Sequence, residues 1–405
     1  MSAIALSYIA NSQWHKWTGS GQRRSAALAT ELTCWAGLES PGLERSKRKM
    51  DTLEPSIDID KLNAFIGRAL TDLSAGYGGV MVSLGHRLGL YEAMAGAGPL
   101  SSREVAARAN CAERYVREWL GSNVAGGYIQ YHALSDTYEL PPEHAIVLAD
   151  KDSPAFVPTA WSVPASMWLD EEKAVEAFRS GKGVPWGDHH GRLHCGVASF
   201  YRNAYRANLV QEWLPALRGV VAKLEAGALA ADVGCGHGHS TSLMARAFPK
   251  TEFWGYDTHG ASIEEATRLA GEAGLANASF ATARADQYPR QGYDLICFFD
   301  CLHDMGDPVA AVAHAARALA PDGTVLLVEP FAGDSMGDNI SPVGRIYYAS
   351  SATICCPHSV SDGGQLVLGA QAGEARLAEV FRKAGFTQFR RAAATPFNLI
   401  LEARL

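Results

Sequence analysis

Residues 232–238 read "DVGCGHG": a carboxylate, then three glycines at alternate positions. The apolar run "LAADV" leads in, and the helical pattern "HSTSLMARAF" leads out. Gly234, Gly236 and Gly238 allow a tight turn and let the backbone approach a ligand closely. About 20 residues on, "FWGYD" ends in Asp257, with Thr258 next; a carboxylate there can accept both hydroxyls of a ribose. Asp286, followed by Gln287 in "ATARADQYP", can accept from an exocyclic adenine amine. The spacing differs from the GxGxxG dinucleotide fingerprint and suits a ligand lacking a pyrophosphate. Taken alone, the turn serves equally well as a tight strand-to-helix link with no ligand.

A second group stands in "YDLICFFDCLHDMGDP". His303 can take a proton, and Asp304 or Asp300 can orient it. His189, His190 and His194, with Cys195 beside them, follow no standard zinc spacing; no metal is expected, and polar residues lining a pocket are the expectation. Tyr201 and Tyr205 lie one helical turn apart, placed either to close over a ligand or to pack in the core. Cys355 and Cys356 are expected to pack, and His358 is a second candidate base.

The elements that position these residues follow from the rhythm of the chain. From residue 225 onward, "ALAADVG", "TEFWGYD", "YDLICFFD" and "TVLLVEP" alternate with helical stretches, the pattern of a doubly wound parallel sheet. Residues 55–150 are mostly helical: Ser101 or Ser102 caps a short helix, a second runs from about Ala112 to Val124, and "YIQYHA" and "TYEL" flank a turn. Helix, turn, helix, hairpin is a winged-helix pattern. Residues 151–215 form a connector rich in aromatics and histidines. After the "TVLLVEP" strand, "FAGDSMGDNISPVGRIYYASSATICCPHS" reads as a long functional loop. Residues 1–50 look foreign to the rest, with seven Lys/Arg, four of them in "ERSKRK"; a disordered tail or an upstream extension of the reading frame is expected.

Of the 405 residues, 47% are hydrophobic and 20% charged, with net charge −7. Bulk binding to nucleic acid or an anionic membrane is not favoured. In residues 51–150, seven Lys/Arg face thirteen Asp/Glu; DNA affinity draws on a surplus of basic residues, so nucleic acid is not an expected partner of the winged helix. Eight scattered cysteines without CxxC pairing suggest reduced thiols in a cytoplasmic protein. No apolar run is long enough to span a bilayer.

With these residues in view, segment 225–405 resembles the class I S-adenosylmethionine-dependent methyltransferases. "DVGCGHG" looks like their first motif, Asp257 like the acid on the ribose, Asp286 like the acid on the adenine amine, and "LAPDGTVLLVEP" like the turn and fifth strand. The resemblance extends over roughly 55–405 to a bacterial group carrying an N-terminal winged helix. It implies a Rossmann-like seven-stranded α/β sheet over residues 216–405 with the seventh strand antiparallel to the rest, and "GFTQFRRAAATPFNLILEARL" supplies two strand-like runs around Pro396 for strands six and seven. It implies S-adenosylmethionine as cofactor, held by Asp232, Gly234, Gly236, Gly238, Asp257, Thr258, Asp286, Gln287 and Asp300. The loop bearing His303 would face the methyl; His303 then acts as general base, touches the cofactor, or packs, and all three roles are open.

The methyl acceptor is not named by the sequence. Phenol, carboxylate, amine and thiol are open; the aromatic connector favours a small apolar or aromatic molecule, and an oxygen acceptor leads. The alternative function is a cofactor-sensing winged-helix transcriptional regulator. "KLNAFIGRALTDLSAGYGGVMVSLGHRLGLYEAMA" offers more apolar face than one winged helix covers, so a homodimer through residues 55–150 is expected.

Overall fold

The computed structural model describes residues 57–405, so the expectation for residues 1–50 lies outside the described residues. By its contacts the chain divides after Asp72. Before that point lie the first turns of the helix Ile59–Arg87, with Ile59, Leu62 and Phe65 exposed.

In the unit from Leu73 onward, the helix Ser102–Arg108 starts at a capping box: Ser101 accepts from the Glu104 N–H, and the Glu104 carboxylate accepts from the Ser101 N–H. The helix Glu113–Ala125 follows, then the antiparallel pair β1 (Gln130–His132) and β2 (Thr137–Glu139). Only three residues of each expected strand pair, because Asp136 (φ 51°) turns the chain in the left-handed region. Val82, Leu90, Met94, Val105 and Leu120 form a separate small core.

The connector is helical through Ser162–Leu169, Glu171–Ser180 and Gly191–Asn208, the last running into a π turn, Leu209–Trp213. Beyond it, β3 (Leu229–Val233), β4 (Glu252–Asp257), β5 (Ala278–Thr282), β6 (Tyr293–Phe299), β7 (Leu319–Pro330), β8 (Gln388–Ala394) and β9 (Asn398–Arg404) make one sheet in the order β5-β4-β3-β6-β7-β9-β8. Strands β3 to β7 are parallel, and β9 is antiparallel to both β7 and β8. The central strands are mostly apolar because helices cover both faces of the sheet, with one buried cluster around Val233, Ile296 and Leu327 and another around Phe253, Leu295 and Leu326. The seven strands, the final antiparallel one and the winged helix all match the expected fold.

The insertion after β7 differs from its reading as a loop. It folds into the helix Pro342–Ser350, a π turn Ser351–Cys355 and the helix Cys356–Ser361. Ser341 caps the first helix by accepting from the Gly344 N–H, and Pro342 occupies the first position, where no N–H is needed. Tyr347, Ile354 and Cys355 then bury one face.

Candidate functional site

The strand order reverses direction between β3 and β6, and a crevice opens there at the carboxyl ends of the strands. A cavity of ≈ 370 Å³ occupies it. The glycine turn forms one wall. Gly234 and Cys235 both donate backbone N–H groups to the Tyr256 carbonyl, at 2.7 and 3.0 Å, and Gly236 donates to Asp257 Oδ2 at 2.9 Å. All three glycines have positive φ (77°, 52° and 69°). A Cβ on Gly234 would meet Cys301 Sγ at 2.7 Å and one on Gly238 would meet Phe280 at 2.6 Å, whereas at Gly236 nothing lies within 4 Å.

Asp232 lies beneath this turn and does not line the cavity. Its Oδ2 accepts from the hydroxyls of Ser240 and Thr241, both at 2.6 Å, which fixes the start of the helix His239–Ala247. Burial pushes its carboxyl up to about 6. Asp257 and Thr258 line the cavity, and Asp257 Oδ1 also accepts from the His259 N–H at 2.8 Å. Asp286 lines it too, accepting from Arg284 Nε at 3.1 Å; the same guanidinium reaches Asp362 at 2.7 Å and straps the β5 loop to the post-β7 insertion. Gln287 is exposed and outside the lining.

The loop after β6 brings Asp300 and Asp304 to the cavity but not His303. Asp300 sits at φ 51°; its N–H donates to Val328 O at 2.7 Å, and its Oδ1 accepts from Asn398 Nδ2 at 2.9 Å. Its Oδ2 is buried without a partner. Burial, aided by the charge of Glu329, holds the Asp300 carboxyl well above the usual range. Burial also raises Asp304, against the pull of His303 and His358. His303 is 5% exposed, and its Nδ1 donates to Glu329 Oε2 at 2.5 Å. The other oxygen of Glu329 accepts from the Leu302 N–H at 3.0 Å. Burial works against the imidazolium, but the Glu329 carboxylate and Cys355 outweigh it and hold His303 well above its ordinary pKa.

The three connector histidines diverge. His194 lines the cavity with Trp186, His189 approaches Asp170 at 3.4 Å, and His190 caps its helix by accepting from the Arg192 N–H. Among the described residues, no three His, Cys, Asp or Glu side chains are placed to hold a metal. Tyr201 and Tyr205 stack at 5.9 Å and both line the cavity. Sequence reasoning missed Glu329, although an acid ending an apolar strand was the very signal that singled out Asp257.

The cavity fits S-adenosylmethionine. A glycine cradle admits a ligand at Gly236, acids stand at the ends of β4 and beyond β5, and Asp257, Asp286, Asp300, Asp304, Asp307 and Asp362 outnumber the single arginine in the lining, Arg284, a balance that suits a sulfonium cation. In the winged helix, Arg114 pairs with Glu118 at 2.6 Å and Arg117 with Glu113 at 2.8 Å, so the arginines of its second helix are neutralised on the helix itself.

Comparison with known proteins agrees with this geometry. A methyltransferase domain family matches residues 203–371, and the Rv2258c-like winged HTH domain family matches residues 76–150. Trans-aconitate 2-methyltransferase of Methylobacterium radiotolerans is 37% identical over 132 residues, 32% of this chain and 46% of that enzyme. The chain thus spans less than half the length of the curated relatives it matches. Human N-acetylserotonin methyltransferase, solved in complex with S-adenosylmethionine, superposes with TM-score 0.62 at 18% identity, covering 87% of this chain and 99% of that one. An O-methyltransferase of neocarzinostatin biosynthesis, solved with S-adenosylhomocysteine and 1,4-dihydroxy-2-naphthoic acid, superposes with TM-score 0.55 at 21% identity, covering 83% and 97%. Both structural likenesses are likenesses of fold. The chain therefore carries a methyltransferase domain, preceded by an Rv2258c-like winged helix-turn-helix domain.

Proposed function

We propose that the protein methylates a hydroxyl of a small, largely apolar molecule, with His303 as general base. The observation that carries this reading is the His303–Glu329 pair, 2.5 Å long and buried beside the cavity at the carboxyl ends of β6 and β7. Glu329 fixes the ring and its tautomer, leaving Nε2 to receive the acceptor's proton. The glycine turn and Asp257 hold the methionine and ribose parts of the cofactor, and Asp286 holds the adenine amine. When bound, the cofactor supplies an electrophilic methyl on a sulfonium. Tyr201, Tyr205, Trp186 and Phe299 keep water from the transfer and align the acceptor, which is most of what an in-line displacement asks of a protein.

The paired arginines of the winged helix favour an enzyme over a DNA-reading regulator, since phosphate contacts need free cations. We read that domain as a packing and dimerisation module. Phe65, Tyr77 and Val80, exposed at 67%, 69% and 55% on the helix Ile59–Arg87, support a homodimer. Seven unpaired cysteines among the described residues, none of whose helices is long and apolar enough to cross a membrane, fit a cytoplasmic protein.

The test is methyl transfer itself. Protein, cofactor labelled in its methyl group and a mixed metabolite extract are incubated, with hydroxylated naphthalenes as a first defined panel. Label should enter an extractable small molecule, and Asp257→Ala should slow the transfer at limiting cofactor. Label remaining on the cofactor across extract and panel counts against the proposal.

A further inference from the structure

Asp300 lies across β3 from the acids that suit the cofactor. The sheet runs β5-β4-β3-β6; Asp257 ends β4 and Asp286 follows β5, whereas Asp300 follows β6. The glycine turn after β3 stands between the two groups. A cofactor reaching from that turn to Asp257 and Asp286 covers the β4–β5 half of the cavity and leaves the β6 half, with Asp300, to the acceptor. Asp300 is held in place before any ligand arrives. Its N–H donates to Val328 O at 2.7 Å, and its φ of 51° is one that Asp adopts more readily than most residues. Its Oδ1 accepts from Nδ2 of Asn398, a β9 residue only 2% exposed. Its Oδ2 is buried without a hydrogen-bond partner, a condition shared in the cavity lining only by Nδ1 of His358, on the post-β7 insertion. A buried polar atom without a partner costs stability, and such atoms persist where a function uses them.

We propose that Asp300 selects the methyl acceptor: Oδ2 binds a second hydroxyl on an aromatic ring whose first hydroxyl takes the methyl. The inference rests on the reading of the site as one that methylates a hydroxyl, and it names the substrate class. The ring follows from the wall beside Asp300. Tyr201 and Tyr205 stack at 5.9 Å, Tyr205 meets Phe299 at 5.4 Å, and all three line the cavity with Asp300. Burial first, and the charge of Asp300 next, push both phenols up, so they stay protonated and present neutral ring faces. Flat aromatic molecules fit such a wall best. The second hydroxyl follows from Oδ2. Burial holds the Asp300 carboxyl well above the usual carboxylate range. A hydroxyl satisfies Oδ2 in either state, donating to it when the acid is ionised and accepting from it when the acid is protonated. An ammonium suits only the ionised form and a carbonyl only the protonated one.

Two probes, 2,3-dihydroxynaphthalene and 2-naphthol, share one ring system and differ by a hydroxyl. Their dissociation constants are measured by calorimetry on the full chain saturated with S-adenosylhomocysteine, so the test needs no turnover. The wild type should bind the diol about 10–100-fold more tightly than the naphthol, the range for a hydrogen bond to a charged group. Asp300→Gly removes the side chain at a φ that glycine adopts freely, and should bind the two probes equally, within about twofold. Asp300→Asn keeps an oxygen for Asn398 and turns an amide to the cavity, from which a hydroxyl can accept; it should recover part of the preference. General damage to the fold weakens both probes alike and leaves their ratio unchanged. The wild-type ratio kept in Asp300→Gly overturns the inference; where that variant fails to fold, the full ratio in Asp300→Asn overturns it. Weaker binding of S-adenosylhomocysteine in both variants with the ratio unchanged gives Asp300 to the cofactor and also overturns it, as does a wild type that does not bind the diol. A wild type that shows the ratio yet methylates nothing defeats the reading of the site as a hydroxyl methylator, while the ratio still decides what Asp300 binds.

Discussion

The backbone N–H of Gly236 donates to Asp257 Oδ2 at 2.9 Å, tying the middle of the turn after β3 to the acid that ends β4. One carboxylate thus braces the turn, through Oδ2, and the start of the next loop, through the His259 N–H on Oδ1. A ribose bound at Asp257 shares a carboxylate whose position is already set, so little ordering is left for binding to supply.

Asp257→Ala should therefore weaken S-adenosylhomocysteine binding by about 1.5–3 kcal/mol, the range for hydrogen bonds to a charged group. Calorimetry on wild type and variant measures this directly. Asp257→Asn, which keeps one acceptor oxygen, should fall between them. Unchanged affinity in the alanine variant would detach the ribose from this site.

Gly236 and Gly238 should respond differently to alanine. At Gly238, φ is 69° and a Cβ would meet Phe280 at 2.6 Å. Left-handed backbone costs roughly 1–2 kcal/mol and overpacking roughly 1–3 kcal/mol, so Gly238→Ala should lower the melting temperature clearly. Gly236 has φ 52° and open space on the Cβ side. Gly236→Ala should lose only the backbone share, about 1–2 kcal/mol, while its methyl stands in the ligand's path. Thermal melts paired with binding measurements separate the two; a Gly236→Ala protein that binds normally would mean the ligand does not approach the backbone there.

The sheet was legible because its signals are local. Apolar runs ending in Asp257 or leading into Gly234 carry their own boundaries, and the paired runs around Pro396 anticipate β8 and β9. Asp257, Thr258 and Asp286 face the cavity for the same reason: strand ends point into the crevice. What stayed hidden depends on distant parts of the chain. Glu329 reaches His303 across 26 residues, and Asn398 reaches Asp300 across 98. The helical insertion was masked by "AGDSMGDNISPVG", whose glycines, serines and prolines read as loop although Ser341 and Pro342 start a helix. Asp232 looked like a ligand contact because it adjoins the glycines; its two hydroxyl partners, Ser240 and Thr241, lie a turn further on.

The exposed apolar side chains of the helix Ile59–Arg87 give the assembly a direct test. Light scattering at micromolar concentration should return twice the 43.3 kDa chain mass. Tyr77→Asp and Val80→Asp together put two charges on that face and should shift the mass to the monomer, because an unpaired buried charge costs several kcal/mol. A monomeric wild type rejects the homodimer.

The last prediction concerns pH. His303 titrates well above its ordinary value because Glu329 and Cys355 outweigh the burial that opposes its charge. A base must be neutral to take a proton, so its competent fraction grows as pH rises. Below the elevated pKa, turnover at saturating cofactor should climb about tenfold per pH unit and then level off on the alkaline side. Glu329→Gln removes the anion that stabilises the imidazolium. The His303 pKa then falls, and the rising limb moves to lower pH. The plateau should drop as well, because an amide holds the ring less firmly and leaves it a weaker base. His303→Ala should lower turnover by roughly 10²–10⁴ with cofactor affinity near that of wild type, since the ring lies outside the cavity lining. The profile also discriminates among acceptors. A carboxylate is anionic throughout and needs no base, so a flat profile in wild type and an active His303→Ala protein would point to that acceptor and remove His303 from the chemistry. A limb that shifts with Glu329→Gln requires a proton to leave the acceptor through His303, as a phenol demands.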